Sequence, residues 1–106
     1  MKYESSYHGL IQERTSFISD NSGKVLNKLE AELRTMEAEY ILYGECSKTK
    51  PGPKYTVPAL DLNKNIQMKK AEISLLKQRL EDAQFEITKL QELIDRESFN
   101  ENAIKI

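Results

Sequence analysis

From residue 66 onward apolar side chains return every seven residues, at Ile66, Ile73, Leu80, Ile87 and Ile94, with Leu76, Ala83 and Leu90 three residues behind the middle three. A repeat of seven with a second apolar row three residues later is the heptad pattern of a coiled coil, because the two rows merge into one narrow stripe along a helix. Such a stripe cannot be buried by its own helix. It has to be covered by another, from this chain or from a second copy. Lys69 breaks the inner row, where a lysine weakens pairing and can fix its register. The pattern predicts a helix over residues 59–97, about 57 Å long at the usual rise of about 1.5 Å per residue.

Residues 24–43 carry Leu26, Leu29, Leu33, Met36, Tyr40 and Tyr43 at alternating steps of three and four, which places them on one face of a helix. Gly44 follows at once and is the expected stop, since glycine adopts the left-handed conformation of a helix end without steric cost. Upstream, Tyr3, Tyr7, Leu10, Ile11, Phe17 and Ile18 recur at helical spacing, but Ser19-Asp20-Asn21-Ser22-Gly23 intervenes with residues that favour caps and turns. The row slips by one position there. Two readings stay open: one helix over 4–43 with a one-residue skip, or two helices with a break near 19–23.

Residues 44–58, GECSKTKPGPKYTVP, hold all three prolines and predict the connecting loop, because a proline inside a helix removes a hydrogen bond and clashes with the preceding turn. Two segments of matching length joined by such a loop predict an antiparallel helical hairpin, with both apolar stripes facing inward. A parallel pairing of two 59–97 helices is less well supported. It would set Glu72 against Lys77 of the second chain but leave Arg79 and Glu86 opposite Gln84 and Gln91. Residues 98–106 contain Phe99, Ile104 and Ile106 without a helical stripe and are expected to form a flexible tail, with docking of those apolar residues as an alternative role. The outline is similar in shape to prefoldin-type chaperones, which carry β-hairpins between their helices; PGPKYTVP is too short to supply them, so the likeness is of shape alone.

Composition narrows the class without naming a function. The chain has 106 residues, enough for a single domain, and its 16 basic and 17 acidic side chains are interleaved, as on a solvated helical surface. Residues 45–60 are the one basic stretch, through Lys48, Lys50 and Lys54. Few glycines and prolines lie outside that stretch, which argues for an all-α fold over a many-stranded β fold. Cys46 is the only cysteine, so an intrachain disulfide is excluded and a reducing cytoplasm is the expected location. No apolar run approaches the roughly 20 residues of a membrane span, and the N-terminus lacks the apolar core of a signal peptide; neither secretion nor membrane insertion is expected.

The chemistry-bearing residues are sparse. His8 is the only histidine, so no metal cage or hydrolytic triad can be assembled around it from recognisable partners. Cys46 follows Glu45, a carboxylate that disfavours the reactive thiolate. No Glu-x-x-His pair of a carboxylate-bridged metal bundle occurs. The reading is therefore a non-enzymatic protein with no cofactor and no metal. Lys48, Lys50 and Lys54 beside Tyr55 are the candidates for anion binding, since lysines neutralise phosphate and a tyrosine stacks on a base. They lack the glycine pattern of a phosphate-binding loop.

Interaction is the function that the pattern favours. The stripe residues Ile66, Ile73, Leu76, Leu80, Ala83, Ile87, Leu90 and Ile94 form the candidate oligomerisation seam. Leu75, Phe85 and Leu93 lie off it and, with Tyr3 and Tyr7, are the candidate partner contacts, tyrosine being a large rigid face with a polar tip. The expectation is a cytoplasmic coiled-coil protein that assembles into a homo-oligomeric helical bundle, a dimer or larger, and binds a protein partner as an adaptor, scaffold or small inhibitor. The alternative is a helical oligomer that binds nucleic acid or a nucleotide through residues 48–55.

Overall fold

A computed structural model describes the backbone of residues 2–105 and the side chains of residues 2–98. The fold is all-α: α1 spans Glu4–Ser22, α2 Lys24–Thr49 and α3 Pro53–Lys105, and no strand occurs among the described residues. The chain divides into two compact units. One joins Met1–Gly23 to Lys77–Ile106, and the other is Lys24–Leu76.

The first segment is interrupted only at Gly23, whose φ of −98° and ψ of −82° leave the helical region. Ser19 to Ser22 stay helical. One reason is local: the Asn21 side-chain amide donates to the Phe17 carbonyl at 2.8 Å, so a side chain that elsewhere opens a turn here supports the preceding one. The break between α1 and α2 thus falls at a single residue.

The connecting loop is shorter than expected. Helix α2 continues through Gly44 to Thr49 and α3 begins at Pro53, which leaves residues 50–52 where the sequence predicts a loop over 44–58. Proline rules out a helix interior more strongly than a helix start. Pro53 is the first residue of α3, where the missing N–H would have had no helical acceptor. Pro58 does lie inside the helix, so the Lys54 carbonyl loses its usual i+4 donor. Gly44 is no stop, because the helix past it is secured by bonds of its own. The Lys50 amide donates to the Cys46 carbonyl at 2.9 Å and the Ser47 hydroxyl to the Gly44 carbonyl at 2.8 Å. The glycine that the turn does require is Gly52, at φ +140°, a conformation open essentially to glycine alone. At the other end α3 remains helical to Lys105, so the tail expected from residue 98 continues the helix; the side chains of Phe99, Ile104 and Ile106 lie outside the described residues.

Within each unit one face of α3 is buried. Ile66 and Ile73 are 4% and 6% exposed in the Lys24–Leu76 unit, and Ala83, Ile87 and Leu90 are comparably buried in the other. Leu76, Leu80 and Ile94 are half-buried. These are the heptad positions, and a single chain buries them. Opposite them α2 contributes half-buried Leu26, Leu29, Leu33, Met36 and Tyr43, while α1 contributes Tyr7, Ile11, Phe17 and Ile18. At about 25 cal/mol per Å² of apolar area removed from water, burial of such side chains dominates the stability of a helical protein of this size.

Candidate interaction site

The residues left outside the buried stripe mark the surfaces open to a partner. In the Lys24–Leu76 unit, Met68 and Leu75 stand one heptad apart on α3 and are 64% and 52% exposed. Both line an open groove of about 620 Å³ together with Met36 of α2 and Ala71. Ala71 is short, so the backbone there is approachable. Lys69 and Glu72 border the same groove.

Lys69 is the charged residue within the heptad rows between Ile66 and Ile94, and its surroundings explain why it is tolerated. Its ammonium donates to a Glu32 carboxylate oxygen of α2 at 2.9 Å and lies 3.4 Å from Glu72, one turn along α3. The hydrogen bond from Lys69, reinforced by its charge, holds the Glu32 carboxyl below the ordinary glutamate range. The bond to Glu32 likewise raises the Lys69 ammonium above the ordinary lysine range, against an opposing contribution from burial. The long lysine stem passes over apolar neighbours while its head reaches carboxylates at the edge.

A second apolar surface in this unit involves Ile41 of α2 and Leu60 of α3, both about two-thirds exposed. They line a hollow of about 410 Å³ with Tyr40 and Ala59. The sequence pattern does not point to Ile41, Leu60 or Met68 as contacts. The first two fall off the heptad rows, in or beside the stretch that the prolines assign to a loop; Met68 is signalled only by its seven-residue spacing to Leu75.

The unit built from α1 and the C-terminal part of α3 is held at its edge by Arg14, whose Nε donates to a Glu86 carboxylate oxygen at 3.4 Å, and by the Tyr3 backbone amide, which donates to Glu97 at 3.1 Å. Phe85 is 62% exposed, and the Lys89 ammonium sits 5.4 Å from its ring centre. Tyr3 is exposed and its ring centre is 6.2 Å from that of half-buried Tyr7. Leu93 is half-buried, which makes it less accessible than Leu75 or Phe85.

The structure does not gather the loop lysines around one point. Lys48 pairs with Glu45 on its own helix at 3.0 Å. The Lys54 ammonium lies 5.5 Å over the Tyr55 ring, and that ring is tilted against Tyr43 at 6.0 Å. His8 pairs with Glu4 one turn away at 3.6 Å, and Cys46 is a half-buried free thiol. Among the described residues no group of histidine, cysteine and carboxylate side chains could hold a metal ion, and no helix is long and apolar enough to cross a membrane. Comparison with protein families, with curated proteins and with solved structures finds no match.

Proposed function

We propose that this chain is a non-enzymatic helical hairpin that self-associates and binds a protein partner, acting as an adaptor, scaffold or small inhibitor. The antiparallel hairpin is supported by the order of its contacts. In one unit Tyr3 meets Glu97 and Arg14 meets Glu86; in the other Glu32 meets Lys69 and Tyr43 meets Tyr55. Residue numbers rise on one side as they fall on the other.

The observation that carries the interaction reading is the exposure of Met68 and Leu75 in one groove while the heptad stripe beside them is already buried. Exposed apolar residues are ordinary singly; a groove that aligns two of them with Met36 and Ala71 is a contiguous surface of the kind partners cover. Light scattering on the parent chain and on Met68→Glu/Leu75→Glu tests the reading. The parent is expected to be a dimer or larger, and the variant to keep its helicity while falling toward the 12.3 kDa of one chain. A parent that stays at one chain's mass across a tenfold dilution series removes self-association from the proposal. The anionic-ligand alternative is separable by salt: binding through Lys48, Lys50 and Lys54 would weaken steeply from low to moderate ionic strength, whereas apolar docking would not.

A further inference from the structure

The two helices that cover α3 bring different side chains to it. The inner rows of α2 are Leu26, Leu33 and Tyr40 with Leu29, Met36 and Tyr43, all apolar or aromatic, and its half-buried carboxylates Glu30, Glu32 and Glu37 lie beside these rows. The corresponding rows of α1 are Glu4, Ile11 and Ile18 with Tyr7, Arg14 and Asn21. Half of them are polar, and each of those is half-buried. The stripe beneath shows the reverse order. Under α2 it is interrupted by Lys69, whereas under α1 it runs through Leu80, Ala83, Ile87, Leu90 and Ile94 without a polar member. The wholly apolar part of α3 thus has the more polar cover.

Docking of a helix is driven mainly by the apolar area it removes from water, and α1 gains less of this than α2. Its polar inner residues do little to compensate. Glu4 pairs with His8 and Asn21 donates to the Phe17 carbonyl, both within α1. Arg14 reaches across to Glu86, but at 3.4 Å and to a side chain 43% exposed, and an ion pair of that kind contributes little. The connections differ as well. A turn of residues 50–52 ties α2 directly to α3, whereas α1 is joined to α2 at Gly23, which leaves the helical region, and the two compact units divide at the same residue.

We infer that α1 is a hinged cover, which opens from α3 as one unit about Gly23 while α2 stays docked, and so uncovers the stripe from Leu80 to Ile94. The polar rows of α1 set how often it opens. This part of α3 is an apolar heptad face that the chain presents intermittently. The inference is independent of the proposed partner groove, which lies in the other unit.

Amide hydrogen exchange of the full-length chain, resolved residue by residue with NMR, tests it. Amides inside α1 are expected to share one level of protection and to exchange about ten-fold or more faster than those inside α2, as a separately opening segment does. Arg14→Leu/Asn21→Leu gives α1 apolar rows and is expected to slow its exchange by about ten-fold or more with α2 unchanged. Ala83→Cys in a Cys46→Ser background reports the stripe itself, and its labelling by a thiol reagent is expected to slow in parallel when Arg14→Leu/Asn21→Leu is added. Equal protection of α1 and α2 in the parent overturns the inference. So does protection that climbs steadily along α1 toward Gly23, which is fraying and not the opening of a cover, and so does a folded Arg14→Leu/Asn21→Leu variant whose α1 exchanges as fast as the parent's. The comparison within the parent needs no substitution, so it decides the matter even where a variant loses its fold.

Discussion

Lys69 illustrates how a single residue can contradict a pattern and still belong to it. It occupies an inner-row heptad position yet brings its ammonium to Glu32 and Glu72, so the row is completed by a hydrogen-bonded charge. Its contribution has a pH window. The Glu32 pKa is depressed by the bond from Lys69, so its stabilising effect is present above the ordinary carboxylate value and is lost as pH falls through the depressed value. The Lys69 pKa is raised by the bond to Glu32, so that effect is complete below the ordinary lysine value and is lost as pH rises through the raised one. The gap in thermal midpoint between the parent and Glu32→Gln is therefore expected to be widest at neutral pH and to close at both extremes; a gap that persists below the carboxylate range would contradict this origin. The apolar positions are less forgiving. Ile87 is 8% exposed, and Ile87→Asp is expected to unfold the chain or its unit because the new carboxylate has no partner there. Leu80→Asp, at a half-buried position, is expected to do less damage, and circular dichroism with sedimentation distinguishes the two.

At the scale of elements, the helices tolerate residues that usually end them, for reasons found one turn away. Asn21 bonds the Phe17 carbonyl, and the Thr35 and Thr56 hydroxyls bond the Ala31 and Gly52 carbonyls. Each polar side chain is satisfied by the helix that it would otherwise disrupt. The glycines separate accordingly. Gly44 sits within α2 with open space where an alanine methyl would stand and no positive φ, whereas Gly52 adopts φ +140°. Gly44→Ala is expected to stabilise the chain by about 0.5–1 kcal/mol through helix propensity, and Gly52→Ala to destabilise it by about 1–3 kcal/mol through backbone strain. Denaturant midpoints check both. A destabilised Gly44→Ala would restore the expectation from sequence that residue 44 ends the helix.

At the scale of the whole molecule, the basic stretch is expected to contribute little to the fold. Lys48 is exposed and pairs with a carboxylate of its own helix, so Lys48→Ser/Lys50→Ser/Lys54→Ser should leave the thermal midpoint nearly unchanged; unchanged partner binding as well would remove the support for an anionic ligand. The helical class and the buried face of α3 were legible in the sequence, because a heptad repeat depends only on the helical period, and Ile66, Ile73, Ala83, Ile87 and Leu90 fall where it places them. Helix ends were not legible, because glycine and proline mark boundaries only on average: Pro53 starts a helix, Pro58 lies within one, and Gly23 alone interrupts the helix where its four turn-forming neighbours announce a longer break. Which surface remains open was decided by tertiary structure alone. A period tells which side chains need cover, but whether the cover comes from the same chain depends on where α1 and α2 lie. Once they bury the stripe, the apolar side chains left exposed include Met68, Leu75, Phe85, Ile41 and Leu60. Among the described residues, charges that meet across the helices include Glu32 with Lys69 and Arg14 with Glu86, separated by 37 and 72 residues in the chain, a distance that no local pattern spans.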